Sequence, residues 1–152
     1  MAMMDVEPVF LDTNILVFAN VAEAPLHELA RTAIETRYNA GTELWISRQI
    51  LREYLSTLSR PQTFSKPQPV ATLIERGRFF EGRFRVAEDG PQVTKKLLEL
   101  MEQIAIGGKQ VHDANIVATM LVHGVHFLLT HNIADFARFS QLITVLPLEA
   151  NL

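Results

Sequence analysis

The sequence predicts an α/β fold in which a parallel sheet is covered by helices on both faces. Short apolar runs of strand length alternate with longer stretches whose apolar residues recur every three to four positions. The first apolar run, Val9-Phe10-Leu11, ends in a carboxylate, Asp12, and small polar residues follow at once. Open α/β sheets place their ligands at the carboxyl ends of strands, so Asp12 sits where chemistry is expected. At 152 residues, with 48% apolar and 20% charged side chains, the chain is long enough for one domain, taken as residues 1–152, with a sizeable core.

Val9 to Leu11 suit a buried strand. Ile15, Leu16 and Phe18 continue as the apolar face of a short helix, for which Asp12 is either the cap or a ligand-binding group. Pro25 is expected to open a second helix, with Leu26, Leu29, Ala30, Ala33, Ile34 and Tyr38 on one face and Gly41 as its stop. Leu44-Trp45-Ile46 reads as a strand. Ser47 is placed to cap the next helix, which carries Ile50, Leu51, Tyr54, Leu55 and Leu58 with Glu53 among them. Three prolines between Arg60 and Pro69 make that segment an exposed loop.

Val70 to Phe80 suit a helix and Phe84 to Val86 a strand. Gly90-Pro91 starts a helix that buries Val93, Leu97, Leu100, Met101 and Ile104 and is stopped by Gly107-Gly108. His112 to Leu121 form a helix ended by Gly124, Val125 to Leu129 a strand, and Ile143 to Leu146 a last strand closed by Pro147.

Composition narrows the function. Without cysteine there is neither a disulfide framework nor a thiolate zinc site. No apolar run reaches the roughly 20 residues of a membrane span, and the first residues lack the pattern of a signal peptide, so a cytoplasmic location is expected. The net charge of −3 is unevenly spread. Residues 48–96 hold 10 of the 14 basic side chains and 5 of the 17 acids. A basic middle with acidic flanks suits delivery of a polyanion to an acidic, cation-filled pocket, or is simply a set of solvated helix faces.

Four acids stand out by their surroundings. Asp12 follows a strand, Glu53 lies near the start of an amphipathic helix, Asp113 begins a helix of small and apolar residues, and Asp135 follows a strand beside Phe136. Carboxylates gathered in one place repel and raise one another's pKa values, and a divalent cation removes that repulsion. Hard oxygen donors select Mg²⁺ or Mn²⁺. Such a site suits phosphodiester hydrolysis by an activated water, with no covalent nucleophile. Each acid also has a bland role: Asp12, Asp113 and Asp135 as caps, Glu53 as partner of Arg48 or Arg52. The five histidines lack ligand spacing such as H-E-x-x-H and are taken as non-ligands. Neither a phosphate-binding P-loop nor a G-x-S-x-G motif occurs. A phosphoaspartate mechanism at Asp12 wants a second acid where Asn14 stands. Phe79, Phe80 and Phe84 among Arg76, Arg78, Arg83 and Arg85 are open to three readings: an RNA-stacking surface, core aromatics between solvated arginines, or a partner-binding face.

Four pieces in order, Leu11-Asp12-Thr13-Asn14-Ile15-Leu16, Ile50-Leu51-Arg52-Glu53-Tyr54, His112-Asp113-Ala114-Asn115-Ile116-Val117-Ala118 and Leu129-Thr130-His131-Asn132-Ile133-Ala134-Asp135-Phe136, carry a resemblance along nearly the whole chain. The chain resembles PIN-domain proteins, in particular the VapC-type toxin ribonucleases of toxin–antitoxin pairs. The resemblance implies a three-layer α/β/α sandwich around a five-stranded parallel sheet and metal-dependent endonuclease action on RNA. It further implies a small VapB-like antitoxin partner and a homodimer. It makes Asp12 the central metal ligand, with Glu53 and Asp113 completing the acidic core. Many relatives place a fourth acid two residues after the threonine, where this chain has Asn132. Asp135, three residues further on, takes part directly or through water on this reading. Thr13, Asn14, Thr130 and Asn132 would hold the acids by hydrogen bonds. The alternative is a PIN-like module that binds RNA or a protein without cutting.

Overall fold

The computed structural model describes residues 6–148. Five strands, β1 (Val9–Leu11), β2 (Leu44–Ser47), β3 (Arg85–Ala87), β4 (Phe127–Thr130) and β5 (Thr144–Pro147), form one sheet in the order β3-β2-β1-β4-β5. Every neighbouring pair is parallel. Phe10 stands opposite Trp45 on one side and Leu128 on the other, so β1 is the central strand. The chain winds outward from β1 to β3, then returns to the far side of β1 with β4. That reversal opens a crevice beyond the carboxyl ends of β1 and β4.

Six α-helices cover the sheet: α1 (Thr13–Asn20), α2 (His27–Asn39), α3 (Arg48–Leu58), α4 (Val70–Arg83), α5 (Pro91–Gln103) and α6 (Gln110–Val122), with a 3₁₀ helix at Ile133–Phe139. The expected α/β/α architecture is therefore present. Phe10, Leu11, Ile15, Leu16, Ile46, Ile50, Ile116 and Leu129 are fully or almost fully buried, so the core runs through the sheet into the helices on it. Among the described residues, no helix is long and apolar enough to cross a membrane.

Local chemistry sets the element starts. Ser47, at the end of β2, accepts the Ile50 amide through its hydroxyl at 3.2 Å and caps α3. Gly90 caps α5 with Pro91 in its first turn, and Gly41 takes φ +87° just beyond α2. Ser47→Ala is expected to lower stability by about 1–2 kcal/mol, because the lost cap lies in a fully buried position. Denaturant titration measures it, and an unchanged midpoint would remove the cap from the account.

The structure corrects several boundaries. Pro25 does not open α2. Two turns, closed by Ala24 N–H to Val21 O and His27 N–H to Ala24 O, precede it and leave Leu26 at φ +58°. The helix therefore starts at His27. The α5 helix stops at Gln103, before Gly107-Gly108. Met101 and Tyr38, placed in apolar stripes, are 40% and 42% exposed. Tyr38 instead lies under the Arg83 guanidinium, 3.8 Å from its ring centre.

Candidate active site

At the carboxyl end of β1, Asp12 is only 6% exposed. One carboxylate oxygen accepts the Thr13 amide at 2.8 Å, so the capping role is real. The other accepts the Thr130 hydroxyl at 2.7 Å and the Asn14 amide at 3.3 Å. Thr130 ends the neighbouring strand β4, so two adjacent strand ends hold one carboxylate. Asn14 also accepts the His131 amide at 3.1 Å, and the Thr130 hydroxyl accepts the Asn132 amide at 3.0 Å. These bonds tie the loop after β4 to the start of α1.

Glu53 reaches the same place from α3. Its carboxylate accepts the Thr13 hydroxyl at 2.7 Å and the Gln49 amide at 3.0 Å. Arg48 does not pair with it; that guanidinium binds Glu81 and Glu88. Asp113, in the first turn of α6, is half-buried, and its carboxylate accepts no hydrogen bond among the described residues. Asp12, Glu53, Asp113 and Asn132 line one cleft of about 370 Å³, within the size range of small-ligand sites. Asp135 lies on the exposed side of the 3₁₀ helix and does not line that cleft, though its charge is felt at Asp113.

Burial is the main force on both aspartates. It pushes Asp12 up to about 6 against the hydrogen bonds from Thr130 and Thr13, with the Glu53 charge adding to the rise. Asp113 is also pushed up to about 6, by burial first and then by the charges of Asp12, Asp135 and Glu53. Carboxylates so placed are poised to be neutralised by a proton or a cation. The donor set is entirely oxygen, which fits a hard divalent cation in chemistry. Among the described residues, no three acids or histidines are closed tightly enough to form a cage.

The residue that sequence reasoning passed over is Gln49, 6% exposed and one turn before Glu53. Its amide donates to Glu53 and, at 2.9 Å, to the His112 carbonyl, while its oxygen accepts Asn115 at 2.9 Å. Asn115 continues to Asp89 at 3.1 Å. Gln49 thus joins the Glu53 helix to the residue before Asp113. The available signal was its place four residues before Glu53, on the same helical face.

The arginine–phenylalanine segment lies elsewhere. Phe80 and Phe84 are buried and stacked 5.9 Å apart, as core aromatics. Phe79 is 43% exposed, with Arg76 4.9 Å from its ring centre. Together with Arg31, Arg76 and Arg83 they line a separate cavity between α2 and α4.

A parallel sheet that reverses at its central strand, with carboxylates converging where it reverses, defines an α/β protein with an acidic polar-ligand site. The PIN domain family model matches residues 9–142, and the chain belongs to that family. Within it, the resemblance is to VapC-type toxins. Ribonuclease VapC48 of Mycobacterium tuberculosis is 27% identical over 131 residues, covering 84% of this chain and 89% of that protein. The fold is similar to a toxin–antitoxin complex from Klebsiella pneumoniae, with a TM-score of 0.64 at 20% identity over 92% of this chain and 97% of that one. It is also similar to Mycobacterium tuberculosis VapC20, a sarcin–ricin loop cleaving toxin, with a TM-score of 0.59 at 15% identity over 79% of this chain and 86% of that one.

Proposed function

We propose that this chain is a VapC-like toxin: a Mg²⁺- or Mn²⁺-dependent endoribonuclease that hydrolyses RNA phosphodiester bonds. The observation that carries the reading is the buried Asp12 carboxylate, facing Glu53 and Asp113 across one cleft. The PIN family membership and the VapC48 likeness support the reaction class. Asp12, Glu53 and Asp113 would hold the cation, with Asp135 contributing through water. When bound, such an ion neutralises the clustered acids and polarises a phosphoryl oxygen.

The chain's own residues supply the rest. Thr130, Asn14 and the Thr13 amide fix the Asp12 oxygens. Thr13 and Gln49 aim Glu53. The Asp113 carboxylate accepts no hydrogen bond from the described residues, which leaves its oxygens open to the cation, and a carboxylate outside the cation's own ligands would orient the attacking water and take its proton. Water adds to phosphorus as the bond to the leaving nucleotide oxygen breaks.

The reading extends to assembly. A small VapB-like antitoxin would cover the acidic cleft of a cytoplasmic homodimer, supported by the Klebsiella neighbour being a toxin–antitoxin complex. Co-purification with such a protein, and the mass in solution, test the two parts. The non-catalytic alternative, a module that docks RNA or a protein, is favoured by one observation: among the described residues, the acids are not closed into a cage.

A purified RNA-cleavage assay separates the readings. Chelation is expected to stop cutting, Mn²⁺ to restore it, and Asp113→Asn to slow it by about 100-fold or more. Cleavage indifferent to both treatments would overturn the mechanism.

A further inference from the structure

Beside the acidic cleft runs a second groove, of about 570 Å³, with the opposite charge. Arg52, Ser56, Arg60 and His112 line it, and it shares Glu53 and Thr57 with the cleft. Arg52, Ser56 and Arg60 follow at four-residue spacing, along one face of α3 and its continuation. Their charges are uncommitted. Arg31, Arg48, Arg76, Arg85 and Lys96 each face a carboxylate, whereas Arg52 and Arg60 form no ion pair among the described residues. Arg60 is steadied by its Nε donating to the Ser56 carbonyl at 3.1 Å, which leaves its terminal amino groups for a ligand.

Another wall of the cleft is aromatic. Phe18 and Phe64 line it with ring centres 6.4 Å apart, edge to face, and His131 packs 5.6 Å from Phe18. Gln62 stands at the same wall. Its amide nitrogen is used on the Thr57 and Arg60 carbonyls, so its oxygen is left to accept a hydrogen bond. The arginine row and the ring wall both border the acids, and Gln62 links that wall to Thr57 and Arg60.

Resting on the nuclease reading, we propose that one RNA single strand lies lengthwise through both cavities. Two flanking backbone phosphates rest on Arg52 and Arg60, the phosphodiester to be cut lies over the acids, and one base sits against Phe18 and Phe64. Only an unstacked strand can present a base face to those rings, so the site is built for single-stranded or looped-out RNA. The arginines also offset the repulsion between the phosphates and the acidic cleft.

The test uses fluorescence anisotropy of a labelled single-stranded RNA on the full chain carrying Asp12→Asn, with Mg²⁺ present, over a range of salt. Adding Arg52→Ala and Arg60→Ala together is expected to lower the slope of log affinity against log salt by about 1.4, two phosphates at about 0.7 each. Adding Phe64→Leu, which keeps an apolar side chain, is expected to weaken binding about five-fold or more with the slope unchanged. A matched duplex should bind less tightly than the strand. An unaltered slope in the arginine variant, or unaltered affinity in Phe64→Leu, overturns the strand path. Failure of the nuclease reading looks different: the parent chain leaves RNA uncut, while the bound strand still depends on the two arginines.

Discussion

Asp12→Asn is expected to abolish cleavage and yet to make the cation-free protein harder to melt at neutral pH. The two effects share one cause. Asp12 is almost wholly buried and titrates near 6, above its ordinary 3.8, chiefly because burial penalises its charge. The folded chain therefore holds that proton more tightly than the unfolded chain does. The contribution of Asp12 to stability is greatest below about 4 and falls as pH rises from there through about 6. Above that window the ionised carboxylate costs on the order of 2–3 kcal/mol, which a neutral amide of similar size largely removes. A gain of about 5 °C in melting temperature at pH 7.5 is expected, with a smaller decline between pH 4 and 6 than in the parent. Activity should fall by about 100-fold or more, since the charge that burdens folding is the charge the reaction needs. Calorimetric scans in chelator, beside an RNA-cleavage assay, check both halves. A variant that melts lower at neutral pH and cuts normally would sink the account.

The largest structural effect is expected at Phe10→Ala. Phe10 is fully buried on the central strand, in register with Trp45 and Leu128, and lies two residues before Asp12. Removing a buried ring costs about 3–5 kcal/mol, a large part of the 5–15 kcal/mol typical of a domain. The melting temperature should fall by about 10 °C or more. Phe79→Ala, at a half-exposed ring on α4, should cost under about 1 kcal/mol. Equal losses at the two positions would mean that the sheet centre is not where stability is concentrated.

Much of this molecule is local and therefore readable along the chain. The strand before Asp12, the Ser47 cap, the Gly90-Pro91 start and the loop between Arg60 and Pro69 each depend on a few adjacent residues. What failed to read locally did so for a physical reason. Proline is compatible with a helix start or a turn, and the hydrogen bonds around Ala24 decided for the turn. Phe79 and Phe80 are neighbours in sequence, but one faces solvent and the other the core. Gln49 looks like an ordinary polar helix residue until α6 packs over it and its amide meets His112 and Asn115.

The order of residues alone specified the alternation of strands and helices and the set of acids available for chemistry, because both follow from short-range pattern and side-chain type. The tertiary structure alone decided which of those groups meet. Thr130 reaches Asp12 across a separation of 118 residues, and only because β4 pairs with β1. The raised pKa of Asp12 has the same origin, since the burial that causes it is supplied by segments far away in the chain.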